Sequence, residues 1–309
     1  MARDSLTTRA VTAEVGSITA VPIRSLPTFR AQVGATIHVM PWSFETSRQR
    51  IRRAQAHRMA IGERWNALIE EKLYDAFLYI DDDGTGSLQV RPIYRPEVMD
   101  EFSLLVGEFL YQLMAALDAC VYKAAIIDSG QSPPPKHKHL YFPICNSHEK
   151  FKEAGNKIAP LASKRRDIIE AMQPYNAPEL AAEGLVFNFN RAFGILGEWA
   201  IIDRHRKLHV TGSWASNARP KFRCPDGTRI ENLRVTASGL LEHESEVASF
   251  KLLGYTRGMK VEGNPDIAID LAVDESPPPC ADTDSLGNRL LAMEKAASVV
   301  VRQFEGSFI

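Results

Sequence analysis

Histidines and cations follow one another in the segment EWAIIDRHRKLHV, directly after an apolar run. The residues that carry chemistry here are Arg204, His205, Arg206, Lys207 and His209. Histidine titrates near neutral pH and can accept or donate a proton, and arginine binds phosphate oxygens through several N–H groups. Cleavage of an RNA backbone through its own 2′-hydroxyl needs both functions. Phosphate chemistry is therefore the first of three interpretations of this segment.

A metal site is the second interpretation. On a helix, Glu198, Ile202, His205 and His209 would share one stripe, because four, three and four residues separate them. Two histidines four residues apart can bind one ion, as they do in the H-E-x-x-H zinc motif. Here Arg206 follows the first histidine, and the neighbouring cations repel a metal ion. We expect neither a metal nor another cofactor at this segment.

An ion-pair network between helices is the third interpretation. Asp203 and Arg206 lie within the segment, and Asp118 interrupts the apolar stretch AALDACVY of an earlier predicted helix. A buried carboxylate needs a partner, and ion pairs of this kind can specify how helices pack. In that case the chain would be a non-catalytic binding or scaffold protein.

The pattern R-H-x-x-x-H, from Arg204 to His209, resembles the Arg-polar-x-x-x-His motif of the HEPN-domain superfamily of small helical bundles. The resemblance covers residues from about 97 to 210. It implies a metal-independent endoribonuclease in which two protomers bring their motifs together, and therefore a homodimer that acts on RNA. By this resemblance His209 is the acid/base residue, Arg204 the phosphate clamp and His205 the residue that orients them, with Asp118 in support.

A second resemblance covers more of the chain. The segments that carry it are, in order, AALDACVY, FPI, QPY and DRHRKL. They resemble an uncharacterised bacterial family of helical proteins with a similar leucine-aspartate stretch, a Phe-Pro-Ile loop and an Asp-Lys-His-Arg segment. Arg204 stands where that family has lysine. The residues shared with the family are Asp203, His205 and Arg206, and the resemblance implies that these three, with Asp118, form its functional centre.

The elements that must position these residues predict an α+β fold. Apolar residues at three- and four-residue spacing indicate long helices up to Lys207 and a further helix at the C-terminus, whereas alternating apolar residues after Lys207 indicate strands. We predict a HEPN-like helical bundle core over 41–210 with an inserted β-hairpin at 73–95. A β-rich section with the C-terminal helix spans 211–309, and residues 1–40 form an N-terminal extension.

Composition limits the classes of partner. The 309 residues carry a formal net charge of -1, so any contact with nucleic acid must be a local basic patch. We predict that patch on the first long helix, at Arg48, Arg52 and Arg53; a solvated helix face is the alternative. The four cysteines form no C-x-x-C pair, and we recognise neither a signal peptide nor an apolar run of about 18 residues. We expect a cytoplasmic protein without a membrane span.

Overall fold

Six α-helices and nine strands make up the part of the chain that the computed structural model describes. That part comprises residues 43–69, 74–93, 95–177, 188–216, 218–236, 238–241, 244–273 and 285–308. The helices are α1 (Glu45–Ile69), α2 (Pro96–Ser129), α3 (His148–Glu153), α4 (Ser163–Ala171), α5 (Phe189–His205) and α6 (Leu286–Gly306). The strands are β1 (Tyr74–Ile80), β2 (Thr85–Pro92), β3 (Val210–Ser216), β4 (Lys221–Arg223), β5 (Arg229–Val235), β6 (Ser238–Leu240), β7 (Ser245–Leu253), β8 (Glu262–Asn264) and β9 (Ala268–Val273). The fold is α+β, as predicted, and the predicted extension at 1–40 lies outside the described residues.

Helix α2 is the centre of the hydrophobic core. It begins at Pro96, a residue suited to the first turn because its missing N–H would have no partner there. It ends before Gly130, which adopts a left-handed conformation with φ 65°. Apolar residues surround most of its circumference, and it packs against α1, α5 and α6. Its fully buried large side chains include Phe102, Phe109 and Leu113, and each contributes about 1.5–3 kcal/mol by leaving water.

By length and composition, α2 could also cross a membrane. A core helix of a soluble protein meets the same two criteria, and half of the most apolar window of α2 is buried inside the protein. The criteria therefore do not distinguish the two kinds of helix. The sequence-based expectation of no membrane span remains a prediction.

Helix α1 packs along α2 through its buried apolar residues, with the Trp65 and Phe102 rings edge to face at 5.9 Å. On α1, Arg58 Nε donates a hydrogen bond to Glu294 Oε2 of α6 at 2.8 Å. The Phe44 and Phe304 rings meet at 6.2 Å and join the start of α1 to the end of α6. The last helix therefore belongs to the helical core.

One four-stranded sheet joins the predicted hairpin to the C-terminal section. Its strand order is β1-β2-β7-β5, with antiparallel neighbours and Leu88 opposite Ala248. The hairpin forms as predicted, but its partner strand lies more than 150 residues further along the chain. Contacts thus cross the predicted division between 41–210 and 211–309, because β2 and β7 share backbone hydrogen bonds and α6 packs on α1, α2 and α5.

Candidate functional site

Helix α5 ends inside the DRHRKL segment. His205 is its last residue, and Arg206 is extended, with φ -160° and ψ 158°. Leu208 and Val210 are buried and His209 between them is exposed, which is the two-residue alternation of an extended chain entering β3. The expectation that His205 and His209 share a helical stripe is therefore wrong, because two buried apolar positions draw this segment into the strand geometry.

An open cleft of about 760 Å³ is lined by residues of α1, α2 and the end of α5. The lining residues are His57, Leu104, Gly107, Glu108, Tyr111, Gln112, Asp203, Arg204, His205, Arg206 and Lys207. Four of the predicted site residues, Asp203 to Arg206, thus meet in one cleft. His209 is not among the lining residues, so the structure does not bring it together with Arg204 and His205.

Cations outnumber carboxylates in the cleft. Arg204, Arg206 and Lys207 are exposed there, whereas the carboxylates are those of Asp203 and Glu108. Lys207 forms an ion pair with Asp100 on the exposed face of α2. His57 Nδ1 lies 3.2 Å from Glu108 Oε2, and this contact orients the imidazole ring. The lining residues thus carry three cations and two carboxylates together with two histidines, and Asp100 neutralises one of the cations, Lys207.

Asp203 packs directly on the backbone of α2 at Gly107. A β-carbon added at Gly107 would stand 2.5 Å from Asp203 Oδ1 and 2.7 Å from Oδ2. A side chain at this position would require the Asp203 carboxylate to move. Desolvation by the surrounding protein raises the pKa of Asp203 above its ordinary value. The carboxylate therefore holds a proton more readily than an exposed aspartate does.

Asp118 lies two helical turns from Tyr111 on α2 and is half-buried. Its Oδ1 accepts a hydrogen bond from the backbone N–H of Phe142 at 2.8 Å. Burial raises the pKa of Asp118 to about 6, although the Phe142 N–H and the positive charges of Arg204 and Arg50 act in the opposite direction. The carboxyl group therefore titrates close to neutral pH.

The two carboxylates of the expected ion-pair network contact the backbone of their neighbours. Asp118 accepts a hydrogen bond from a backbone N–H, and Asp203 packs on Gly107. Arg206 follows the last residue of α5, where the backbone is extended, and it is exposed. The ion-pair network with Arg206 stays a prediction.

The segments of the second resemblance do meet in space. Phe142 of the FPI loop stacks on Phe193 of α5, with ring centroids 5.6 Å apart. Gln173 of QPY is fully buried; its Nε2 donates to the Pro143 carbonyl at 2.9 Å and its Oε1 accepts from Cys145 N at 2.8 Å. Asp118 binds the same loop through the backbone N–H of Phe142. These contacts join the loop to α2, α4 and α5.

The predicted basic patch on α1 is largely neutralised by carboxylates. Arg48 forms ion pairs with Glu45 and Glu305, and Arg52 pairs with Glu45. Arg53 is exposed. None of these three predicted nucleic-acid-binding residues lines the cleft described above.

Sequence reasoning missed the contributions of α1 and α2 to the cleft. His57 and Tyr111 line it, and the positive charge of Arg50 lowers the pKa of Asp118. A signal was present for the α1 residues, because Arg50 and His57 are seven residues apart and therefore lie on one face of the helix. Nothing in the sequence indicated that this face turns towards the end of α5. Across the described residues, no group of three or more His, Cys, Asp or Glu side chains is placed to hold a metal ion.

We predict that Gly107→Ala lowers the free energy of unfolding by about 1–3 kcal/mol, because the new methyl group overlaps the Asp203 carboxylate. Urea unfolding followed by circular dichroism measures this. Gly62→Ala on α1 is the matched control, since nothing lies within 4 Å of a β-carbon there, and it should be neutral or stabilising by up to about 1 kcal/mol. A Gly107→Ala protein as stable as the Gly62→Ala protein would contradict the close contact.

We predict that Asp118→Asn stabilises the fold at pH 8 by about 1–2 kcal/mol and has little effect below pH 4. The folded protein raises the pKa of Asp118 from 3.8 to about 6. The aspartate therefore contributes stability below pH 4 that is lost as the pH rises through about 6. Thermal melts at both pH values test this, with the exposed Asp167→Asn on α4 as a control that should show no such difference. An equal effect of Asp118→Asn at both values would contradict the raised pKa.

Comparison with known proteins supplies no relative from which a function could be transferred. No family model matches the chain, and neither a curated protein nor a solved structure is significantly similar to it. The function is therefore argued from the chemistry of the cleft.

Proposed function

We propose that this protein binds RNA in the cleft at the end of α5 and cleaves it without a metal ion. One observation carries the proposal: Arg204, Arg206 and Lys207 line the same cleft as His57 and His205. A polyanion is the ligand that three clustered cations attract most strongly. The HEPN-like character of the helical core and the homodimer that it implies are parts of this proposal.

Binding is supported by the apolar side chains of the cleft as well as by its charge. Leu104 and Tyr111 lie two turns apart on α2, and their exposed fractions are 66% and 64%. Both line the cleft, together with the histidine from α1 and the cations from α5. Unpaired bases stack on exposed aromatic rings while cations bind the backbone that connects them. The combination suits RNA with unstacked bases better than a small inorganic anion.

Cleavage is supported by the two histidines of the cleft. In this reaction one histidine removes the proton of the ribose 2′-hydroxyl, and the oxygen attacks the adjacent phosphorus. The bond from phosphorus to the 5′-oxygen breaks, and the second histidine protonates the leaving oxygen. Arg204 stabilises the charge on the phosphate oxygens. We assign the histidine roles to His57 and His205, in place of the His209 of the HEPN resemblance, because His209 does not line the cleft.

Binding is tested with a fluorescein-labelled single-stranded RNA and fluorescence anisotropy over a salt series. We expect Arg204→Ala and Arg206→Ala each to weaken binding several-fold at low salt and to reduce the slope of log K against log salt by about 1, because each removes a phosphate contact. Lys138→Ala is the control, since Lys138 is exposed in a loop and does not line the cleft. Equal salt slopes for all three variants would contradict binding in the cleft.

Cleavage is tested on single-stranded RNA in the presence of EDTA. We expect His57→Ala and His205→Ala each to lower the rate by about 10²–10⁴, the usual contribution of a positioned acid or base. His209→Ala should retain most of the activity. Products should carry a 2′,3′-cyclic phosphate and a 5′-hydroxyl, which mass spectrometry identifies. Loss of activity in His209→Ala alone would instead restore the roles that the HEPN resemblance implies.

A non-catalytic binding protein is the second candidate, and the hydrogen bonds to the FPI loop favour it. Asp118 and Gln173 bond to backbone atoms of that loop, so their contacts are those of packing residues. In this case the protein would bind RNA through the same cations and leave it intact. The same two assays separate the candidates: binding with no cleavage at any pH from 5 to 8 would favour the second.

A further inference from the structure

The carboxylate of Asp203 lines the cleft and has no hydrogen-bond donor or cation as a partner among the residues that the structure describes. Its oxygens lie against the α2 backbone at Gly107, where an added β-carbon would stand 2.5 and 2.7 Å from them. Glu108, the other carboxylate of the lining, contacts His57 Nδ1 at 3.2 Å. A half-buried carboxylate without a donor is an unsatisfied acceptor, and a ligand with N–H groups would satisfy it.

Asp203 lies between the two exposed apolar residues of the cleft. Leu104, Gly107 and Tyr111 are three and four residues apart and therefore share one face of α2. Because Gly107 has no side chain, the carboxylate fills the gap on this face, about one helical turn from each neighbour. Leu104 and Tyr111 line the same cleft and are exposed. A nucleobase stacked on the Tyr111 ring would therefore have one edge within reach of the Asp203 oxygens.

The chemistry of a carboxylate distinguishes the four bases of RNA. Its two oxygens can accept two parallel hydrogen bonds, and guanine presents two adjacent donors, N1–H and N2–H, on its Watson–Crick edge. In adenine, cytosine and uracil each donor on this edge has an acceptor beside it, which would repel the second carboxylate oxygen. Guanine is therefore the base that an ionised carboxylate binds best.

We propose that Asp203 reads the base in the cleft and gives it a preference for single-stranded RNA with an unpaired guanine. This inference rests on the proposed function, because it requires RNA in the cleft. The ionised carboxylate repels the phosphates of any RNA, and the two hydrogen bonds from guanine offset this repulsion. Asp203 thus weakens the binding of other sequences and strengthens the binding of guanine, and specificity comes from both effects.

The probe is a fluorescein-labelled oligouridine with one central test base, and binding is followed by fluorescence anisotropy at pH 8. Methyl groups on the 2′-oxygens prevent cleavage, because they block the attacking atom. The test bases are guanine, hypoxanthine, which keeps N1–H and lacks the N2 amino group, and adenine. We expect the wild type to bind the guanine RNA about tenfold more tightly than the other two, the size of one hydrogen bond to a charged acceptor.

Asp203→Asn tests the residue itself, because asparagine keeps the shape that packs on Gly107 and replaces one acceptor oxygen by an amino group. We expect this variant to bind the guanine and hypoxanthine RNAs with equal affinity. Asp167→Asn on α4 controls for the change in net charge, since Asp167 is exposed and does not line the cleft; it should keep the preference of the wild type. Thermal melts confirm that each variant is folded.

Equal affinity of the wild-type protein for the guanine and hypoxanthine RNAs overturns the base-reading role, and this comparison requires no variant to fold. A guanine preference that Asp203→Asn retains overturns it as well. Both results leave the proposed function intact. Failure of the wild-type protein to bind these RNAs or the unmodified single-stranded RNA overturns the proposed function itself.

Discussion

The burial of α2 against three other helices is the interaction on which the rest of the structure depends. A helix that is apolar over most of its circumference can leave water only if neighbours cover it on several sides, and α1, α5 and α6 do so. The fourth side remains partly open, and there Leu104 and Tyr111 face solvent. The cleft is thus the part of α2 that the helical core leaves uncovered.

The contact between α5 and α2 determines which residues lie over the open side of α2. Gly107 lets the Asp203 carboxylate approach the α2 backbone, and this brings the following residues, Arg204 to Lys207, over the cleft. The helix then ends at His205 because Leu208 and Val210 are buried as an extended segment. One glycine and two buried apolar residues therefore select which charged groups share the cleft and direct His209 elsewhere.

The packing of the helices determines the charge of the site more than the spacing of the charged residues in the chain does. Arg48 and Arg52 looked like a basic patch, but Glu45 and Glu305 neutralise them. The positive charge of Arg50, between them, acts on the carboxyl group of Asp118 on α2. A rotation of roughly 100° per residue around a helix is enough to separate a paired arginine from one that acts on another helix.

The sequence by itself determined the α+β class, the long helices and the hairpin, and it showed the unusual cluster of charges in the DRHRKL segment, because apolar periodicity and residue chemistry are local properties. It also identified Asp118 as an unusual carboxylate in an apolar helix. Only the tertiary structure decided that the hairpin shares a sheet with β7, that His57 and Tyr111 join Arg204 in a cleft, and that His209 does not. These outcomes depend on contacts between residues far apart in the chain, and on the buried positions that end a helix where local spacing would continue it.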